Sequence, residues 1–193
     1  MIAILSLGFA NAQEAKFGVK GGLNIANLNF SGDGAPSTSS LVGFHIGGFT
    51  EIKVSDKFFI QPEVMYSTQG AKFKMSEDGL TLNSFKLGYI NLPVMAKYYV
   101  AEKFNLELGP QIGFLTSAKA NASASGTTVD VDVKKAFESI DFGLNFGAAY
   151  DFTEKVSAGF RYNLGLSNIA KTEDGDNETV KNSLFSLSVG YKF

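Results

Sequence analysis

The sequence contains no cysteine, no tryptophan and only one histidine among its 193 residues. Without cysteine, the chain forms no disulfide and offers neither a thiol nucleophile nor a thiolate metal ligand. Its 17 basic and 19 acidic residues nearly cancel, so no charged surface predicts binding to nucleic acid. No helical period persists, and beyond the first residues no apolar run approaches the roughly 20 residues of a transmembrane helix. The 21 Gly, 18 Phe and 7 Tyr that are present favour many strands and turns.

The first twelve residues differ in character from the rest. They form an apolar run that ends in Ala10, Asn11 and Ala12, which is a small-x-small cleavage pattern. We therefore expect a signal peptide over residues 1–12 and a mature domain over 13–193. A buried first strand or helix is the alternative, which the cleavage pattern disfavours. No Lys or Arg precedes the run, so the sequence also allows a start further upstream.

Three similar pentapeptides divide the chain, namely VSDKF at 54–58, VAEKF at 100–104 and FTEKV at 152–156. The segments beside each copy alternate apolar and polar residues with a period of two, as strands do. The three copies therefore predict tight turns within three hairpins. Alternating segments at 16–28 and 184–193 add a first and a last strand.

The segments between the hairpins are polar and rich in Gly, Ser, Thr, Asn and Asp, and we expect long loops at 29–40, 74–84, 118–135 and 167–182. An even number of antiparallel strands with tight turns at one end and long loops at the other is typical of outer-membrane barrels. The predicted fold is all-β, a closed antiparallel up-and-down transmembrane β-barrel of eight strands with short periplasmic turns and long extracellular loops.

The two faces of the predicted strands differ in composition. One row is heavy in Phe, Leu, Ile and Tyr, and aromatic residues gather beside the turns, as in an interfacial girdle. The other row is mostly Gly, Ser, Asn and Gln, which suits a cramped lumen better than a solvated face. A lipocalin-like barrel with the apolar row inside is the alternative, which the long loops and the leader disfavour. Because buried charges need partners, we predict a structural polar network in the lumen. Its members are Lys20, Glu51, Glu63, Lys97, Glu107, Asp141 and Arg161.

Four residues depart from this pattern. Pro62, Pro93 and Pro110 fall inside predicted strands, where each removes a ladder donor, and we expect local bulges there. Phe49 falls in the polar row, so we expect one aromatic ring in the lumen near the turn end.

Four strings, FGVKGGLNIANL, FIQPEVMYSTQGAK, YINLPVMAKYYV and FNLELGPQIGFL, resemble the outer-membrane β-barrel family of Bacteroidota that is often labelled PorT-like. The resemblance covers nearly all of the mature chain. It implies an eight-stranded barrel of the OmpX or OmpA type, inserted by the barrel-assembly machinery. Val189, Tyr191 and Phe193 at the C-terminus are similar to the insertion signal of that machinery. No motif in this chain carries the family's link to secretion and gliding.

Catalytic chemistry has one weak candidate in the sequence. His45 is the single histidine, and Asp141 is the only partner that can be assembled for it. Its neighbours Gly43 and Gly47 offer no nucleophile, so a hydrogen-bonded lumen histidine is favoured over a catalytic one.

Two groups of surface residues suggest ligands. The acidic loop residues Glu173, Asp174, Asp176 and Glu178 lack the spacing of an EF-hand, so a solvated loop is favoured over a metal site. Lys72 and Lys86 are predicted to point outward at the loop end, where lipopolysaccharide phosphates lie.

These patterns predict an integral outer-membrane barrel with a plugged polar lumen and a structural or surface-interaction role, with no enzymatic activity and no cofactor. The alternatives are a component of a secretion or gliding system, a small pore and a barrel hydrolase. The expected partners are outer-membrane lipid, lipopolysaccharide, the barrel-assembly machinery and proteins that contact the extracellular loops. We expect a monomer that binds no nucleic acid.

Overall fold

The computed structural model of the chain describes residues 15–32, 37–77, 80–124, 127–171 and 179–193. The predicted signal peptide and the acidic loop residues 173–178 lie outside these ranges. The described elements are β1 (Ala15–Ser31), β2 (Ser39–Lys53), β3 (Phe58–Glu77), β4 (Leu80–Tyr99), β5 (Phe104–Ala124), β6 (Thr127–Asp132), a 3₁₀ helix (Lys134–Ala136), β7 (Ile140–Asp151), β8 (Val156–Gly165) and β9 (Thr179–Lys192). No helix within these ranges has the length and apolar character needed to cross a membrane.

Eight of the strands, β1 to β5 and β7 to β9, form a closed antiparallel ring in which β9 pairs with β1. The predicted eight-stranded barrel is confirmed. Because the ring is closed, the backbone N–H and C=O groups along each strand edge have partners on a neighbouring strand. A bilayer requires this, since its core contains no water to bond them. The ninth strand, β6, lies outside the ring and pairs with the upper part of β5.

The three pentapeptides adopt the same turn. In each, the backbone N–H groups of the first and second residues donate to the carbonyl of the fifth, from Val54 and Ser55 to Phe58, from Val100 and Ala101 to Phe104, and from Phe152 and Thr153 to Val156. The acidic residue and the lysine of each copy are exposed. The repeat is therefore a repeated structural turn, and we call this end of the barrel the turn end and the opposite end the loop end.

The apolar row of each strand points outward. Phe17, Ile46 and Leu108 are 63%, 59% and 49% exposed, whereas Asn24 and Asn145 on the other face are buried. This result confirms the predicted face assignment and excludes the inverted, lipocalin-like arrangement. The outward row of β5 runs from Phe104 to Phe114, close to the 9 to 11 residues that span a bilayer in a tilted strand.

The ring of Phe49 occupies the lumen, as predicted. Phe49 is 7% exposed and lies against the backbone of Gly18, where a Cβ atom would come within 2.3 Å of the ring. Gly190 on β9 borders the same ring. Two glycines on neighbouring strands thus create the space for one aromatic side chain near the turn end.

The predicted bulges at the prolines are wrong. Pro62 lies opposite Val94, and the same register resumes where Met65 lies opposite Asn91. The register of β4 with β5 is likewise unchanged across Pro93 and Pro110, and the irregularities lie nearer the loop end, as between Gly88 and Tyr89. An extra residue among the lipid-facing positions would exchange the two faces of the strand. The chain therefore forgoes a local hydrogen bond and keeps its register.

The predicted loops at 74–84 and 118–135 are largely wrong, because strands β3, β4 and β5 continue beyond the apolar belt and β6 adds to them. Their polar composition suits strands in water rather than loops. Ala118, Ala120 and Ala122 are buried on one face, whereas Lys119 on the other face is exposed. The barrel therefore extends into a polar sheet at its loop end.

Candidate functional site: the closed lumen and the extended sheet

Arg161 lies at the centre of the charged lumen network. Its guanidinium donates to both carboxylate oxygens of Glu63, at 2.9 and 3.0 Å, and to Glu107 Oε2 at 2.6 Å. Lys20 Nζ approaches Glu63 Oε1 from the other side at 2.8 Å. The Glu63 side chain has no exposed surface. Strands β1, β3, β5 and β8 are thereby joined across the interior by charge-assisted hydrogen bonds.

A second part of the network lies closer to the turn end. Lys97 Nζ donates to Glu51 Oε2 at 2.5 Å and to Gln61 Oε1 at 3.1 Å. Lys192 Nζ lies 3.2 Å from Glu51 Oε1 and 3.5 Å from Asp151 Oδ2. Across both parts, four cations face four carboxylates. The cations are Lys20, Lys97, Arg161 and Lys192, and the carboxylates are Glu51, Glu63, Glu107 and Asp151.

Lys192 and Asp151 were absent from the predicted network, although the signal was present. Each occupies an inward position in the alternation of its strand, one residue beyond an outward tyrosine, Tyr191 or Tyr150.

Asp141 does not join this network, contrary to the sequence prediction, and it does not pair with His45. It lies near the loop end, where it accepts hydrogen bonds from Asn182 Nδ2 at 2.7 Å and from Ser167 Oγ at 2.8 Å. Tyr89 lies beside the same Asn182. Asp141 is therefore held by neutral donors in a separate polar layer.

His45 is buried in the lumen, as predicted, but its partners come from other strands. Asn24 Nδ2 lies 3.0 Å from three acceptors, two backbone carbonyls and Ser67 Oγ, which share its two N–H groups, so Asn24 Oδ1 acts as an acceptor. His45 Nδ1 therefore donates to Asn24 Oδ1 at 2.8 Å, and His45 Nε2 accepts from Ser188 Oγ at 2.8 Å. Sequence reasoning missed both partners because they lie 21 and 143 residues away along the chain.

The hydrogen bonds link Ser188 to His45 and His45 to Asn24, in the order of a nucleophile, a base and an orienting group. The cavity that touches these side chains has a volume of only about 40 Å³ and is also lined by Lys20 and Arg161. A cavity of this size accommodates one or two water molecules. An acyl substrate does not fit, so in this conformation the chain of hydrogen bonds links strands rather than binding a substrate.

The turn end opens into a vestibule of about 830 Å³ that is lined by residues of all three turns. Glu51 and Lys192 line both this vestibule and the first lumen cavity, which measures about 30 Å³. The charged network thus forms the inner boundary of this vestibule, and the cavity beyond it, which is lined by Asn24 and His45, measures only about 40 Å³.

The loop end is covered by an apolar cluster, which we call the cap. The cap comprises Leu28, Ala71, Leu87, Tyr89, Leu115, Ala118, Phe137, Ile169 and Val180. Phe137 and Ile169 come from two separate connecting segments, and the N–H of Glu138 donates to the carbonyl of Ile169 at 2.8 Å. Ile169 is fully buried although it lies in a segment whose polar composition predicted a loop. An isolated isoleucine in such a polar segment was the indication in the sequence that the segment contributes to a buried apolar cluster.

Beyond the apolar belt, the outward face of the sheet carries a row of lysines. Lys72, Lys86 and Lys119 are exposed on three adjacent strands, which confirms the predicted outward direction of the first two. Lys86 lies directly opposite Lys119. On β6, Asp130 Oδ1 accepts from Asn121 Nδ2 at 2.8 Å. This hydrogen bond lowers the pKa of the Asp130 carboxyl, and the nearby Lys86 and Lys119 act in the same direction.

No cluster of three or more His, Asp or Glu side chains suited to a metal occurs in the described part of the chain.

Comparison with known proteins identifies the family of the chain. Residues 10–171 match the model of the family described as the outer membrane protein beta-barrel domain. The chain belongs to this family. No curated protein matches the sequence significantly.

The fold of this family member is also found in solved structures. Neisserial surface protein A (NspA) aligns with a TM-score of 0.56 at 20% identity, over 94% of this chain and 100% of that one. Ail of Yersinia pestis aligns with a TM-score of 0.48 at 16% identity, over 93% of this chain and 99% of that one. At such identities, the likeness to NspA concerns the fold alone.

Membership of the outer-membrane β-barrel family places the protein in the bacterial outer membrane. In such barrels the short turns face the periplasm and the longer connections face outward. The vestibule and the charged network are therefore on the periplasmic side, whereas the cap, the lysine row and β6 are extracellular.

Proposed function

We propose that this protein is a closed outer-membrane barrel that serves as a structural scaffold and displays its extracellular sheet as an interaction surface. The observation that carries the proposal is the double closure of the lumen. The charged network fills its periplasmic half, and the apolar cap covers its outer end. Moving solutes through it would require breaking buried ion pairs, which leaves charges uncompensated.

A liposome-swelling assay tests this closure. Vesicles that contain the folded protein should admit arabinose no faster than protein-free vesicles, whereas a general porin, as the positive control, should accelerate swelling. Uptake above the protein-free rate would contradict the proposal and favour a small pore.

Display of the sheet can be tested by labelling, because the chain has no native cysteine. Thr127→Cys on β6 should react with a 5-kDa maleimide polymer on intact cells, a probe too large for porins. Lys57→Cys in the first turn should react only after the outer membrane is disrupted. The reverse pattern would contradict the proposed orientation.

The same proposal includes lipopolysaccharide as a lipid partner. Like charges directly opposite each other on neighbouring strands are unfavourable, and a bound phosphate would relieve the repulsion between Lys86 and Lys119. Added lipopolysaccharide should raise the Tm of the detergent-solubilised protein. The Lys86→Gln/Lys119→Gln variant should show a smaller rise, while Lys57→Gln in a periplasmic turn serves as the control. An equal rise in all three proteins would contradict a specific site.

The proposal also covers the export and insertion of the protein and an alternative role in secretion. We propose that residues 1–12 are removed on export and that the outward-facing Val189, Tyr191 and Phe193 are read by the barrel-assembly machinery, after which the protein remains a monomer. Deletion of Phe193 should reduce the amount of folded protein in the outer membrane without affecting export. A PorT-like role in secretion stays an alternative that no motif of this chain carries, and capture of secretion components with the intact protein would support it.

A further inference from the structure

Strand β6 has one open edge. It pairs with β5 through six residues, from Thr127 opposite Ala124 to Asp132 opposite Lys119, and it pairs with no other strand in the described part of the chain. The N–H of Val133 donates to the carbonyl of Ala118, which identifies the hydrogen-bonded positions of this ladder. Because such positions alternate, the N–H and C=O groups of Thr128, Asp130 and Asp132 face away from β5.

The two faces beside this edge differ in chemistry. Val129 and Val131 are 51% and 48% exposed, and they share a face with the buried Ala120 and Ala122 opposite them. That face continues across the sheet to the ring of Phe85, which packs on Phe73 with a centroid distance of 4.8 Å. The other face of β6 carries Asp130 and Asp132. Lys119 lies opposite Asp132, and each carboxylate accepts one hydrogen bond, Asp130 from Asn121 Nδ2 and Asp132 from the N–H of Lys134. The edge strand itself is therefore apolar on one face and carries two carboxylates on the other, next to the lysine row of the neighbouring strands.

The second edge of the extracellular sheet provides a contrast. On β9, the carbonyl of Val180 accepts from the N–H of Ile169 at 2.8 Å, and its N–H donates to Asn168 Oδ1 at 2.8 Å. The chain itself thus covers that edge. Proteins usually protect open edges with lysine, proline, bulges or a covering segment. The ladder of β6 is continuous, and the strand contains neither lysine nor proline; its charged residues are Asp130 and Asp132.

We propose that the open edge of β6 binds an extended peptide segment of a partner protein in which basic and apolar residues alternate. The segment adds as the next strand, so that its backbone bonds to Thr128, Asp130 and Asp132. Its apolar side chains cover Val129 and Val131, and its basic side chains lie beside the two carboxylates. This inference rests on the proposed interaction role and identifies the surface that performs it.

A second copy of this chain is a poorer occupant. Two antiparallel β6 strands would place four aspartates on one face of the pair, and like charges on neighbouring strands repel each other. The charge of the edge thus favours a basic partner over self-association.

The test uses the full-length protein in phospholipid nanodiscs. The probe is an acetylated, fluorescent peptide of alternating Lys and Val, and its binding is followed by anisotropy. Thr128→Pro removes an edge N–H without touching the β5 ladder or the net charge, and Thr128→Ala is its matched control. We expect Thr128→Pro to weaken binding at least about tenfold relative to Thr128→Ala, because a strand-edge contact is lost. Asp130→Asn should weaken binding less and make it less salt-dependent.

Unchanged far-UV circular dichroism and gel mobility shift establish that the variants are folded. Should Thr128→Pro fail to fold, Asp130→Pro compared with Asp130→Asn replaces it, because the Asp130 N–H also faces the open edge. Equal affinities of the Pro and control variants would overturn the proposal, as would equal binding of a peptide with all Lys residues at one end. The proposal would also be overturned if the unmodified protein did not bind the peptide. It would be overturned as well if the unmodified protein formed dimers and Thr128→Pro abolished them, because the edge would then bind a second copy. If the protein excludes arabinose but does not bind the peptide, the proposed closure of the lumen stands and only the peptide site at the β6 edge is rejected.

Discussion

Removal of the Arg161 guanidinium should destabilise the barrel more than any surface charge can. Arg161 makes three hydrogen bonds of 2.6 to 3.0 Å to Glu63 and Glu107, and its side chain is 12% exposed. In the Arg161→Met variant, Glu63 keeps only Lys20 and Gln61, and Glu107 keeps Lys97 at 3.9 Å. Breaking one partner of a buried ion pair typically costs about 3–5 kcal/mol. Because both carboxylates retain one cation, we expect a loss near 3 kcal/mol, about the lower end of that range.

The matched control is Lys53→Met, which removes an exposed pair. Lys53 Nζ lies 3.0 Å from Asp56 Oδ1, but the two side chains are 41% and 97% exposed. Such a pair contributes at most about 1 kcal/mol. Urea unfolding in phospholipid vesicles, followed by far-UV circular dichroism because the chain has no tryptophan, measures both variants. If Arg161→Met lowers the free energy of unfolding no more than Lys53→Met does, the structural role assigned to the network is refuted.

Three further predictions concern the lipid face, the cap and the leader. Leu108→Arg should lower the free energy of unfolding by about 2–4 kcal/mol, because Leu108 faces the middle of the bilayer, whereas Gln111→Arg in the lumen places no charge in lipid. Equal losses in folding titrations would overturn the face assignment. Phe137→Ala should speed amide hydrogen exchange at Glu138 and Ile169 by at least about tenfold, because it leaves a void in the cap; unchanged exchange would mean that the cap is not held by packing. Mass spectrometry of the mature protein should find Gln13 at its N-terminus, and retention of residues 1–12 would refute the cleavage site.

The sequence predicted the barrel well because a bilayer makes alternation strict. Within the belt, each position of β5 faces either lipid or the lumen, so the period of two at Phe104 to Phe114 left little ambiguity. Beyond the belt no face meets lipid, and the buried face of β5 carries only small residues, Ala118, Ala120 and Ala122, so the apolar alternation becomes weak. The extension of β5 to Ala124 and the whole of β6 therefore looked like loops.

The candidate site was predictable in composition but only partly in pairing. Alternation identified Arg161, Glu63 and Glu107 as lumen residues. Their strands β8, β3 and β5 do not pair with one another, and the three side chains meet across the interior of the closed ring. Asp141 also faces inward, but it lies nearer the loop end than the cations do. Alternation shows which face a residue is on, but it does not show how residues on different strands are aligned along the barrel axis. The contact of His45 with Ser188 depended on closure of β9 against β1, which joins residues from opposite ends of the chain.

Single-channel recording in planar bilayers tests the closed lumen most directly. Protein verified as folded by its gel mobility shift should insert and give no stable, discrete open-channel currents at moderate voltage. The Arg161→Met variant and a variant with Phe137→Ala should remain silent individually, because each retains one of the two closures. Stable open currents from the unmodified protein would contradict the central claim that ion pairs and the cap together close this barrel.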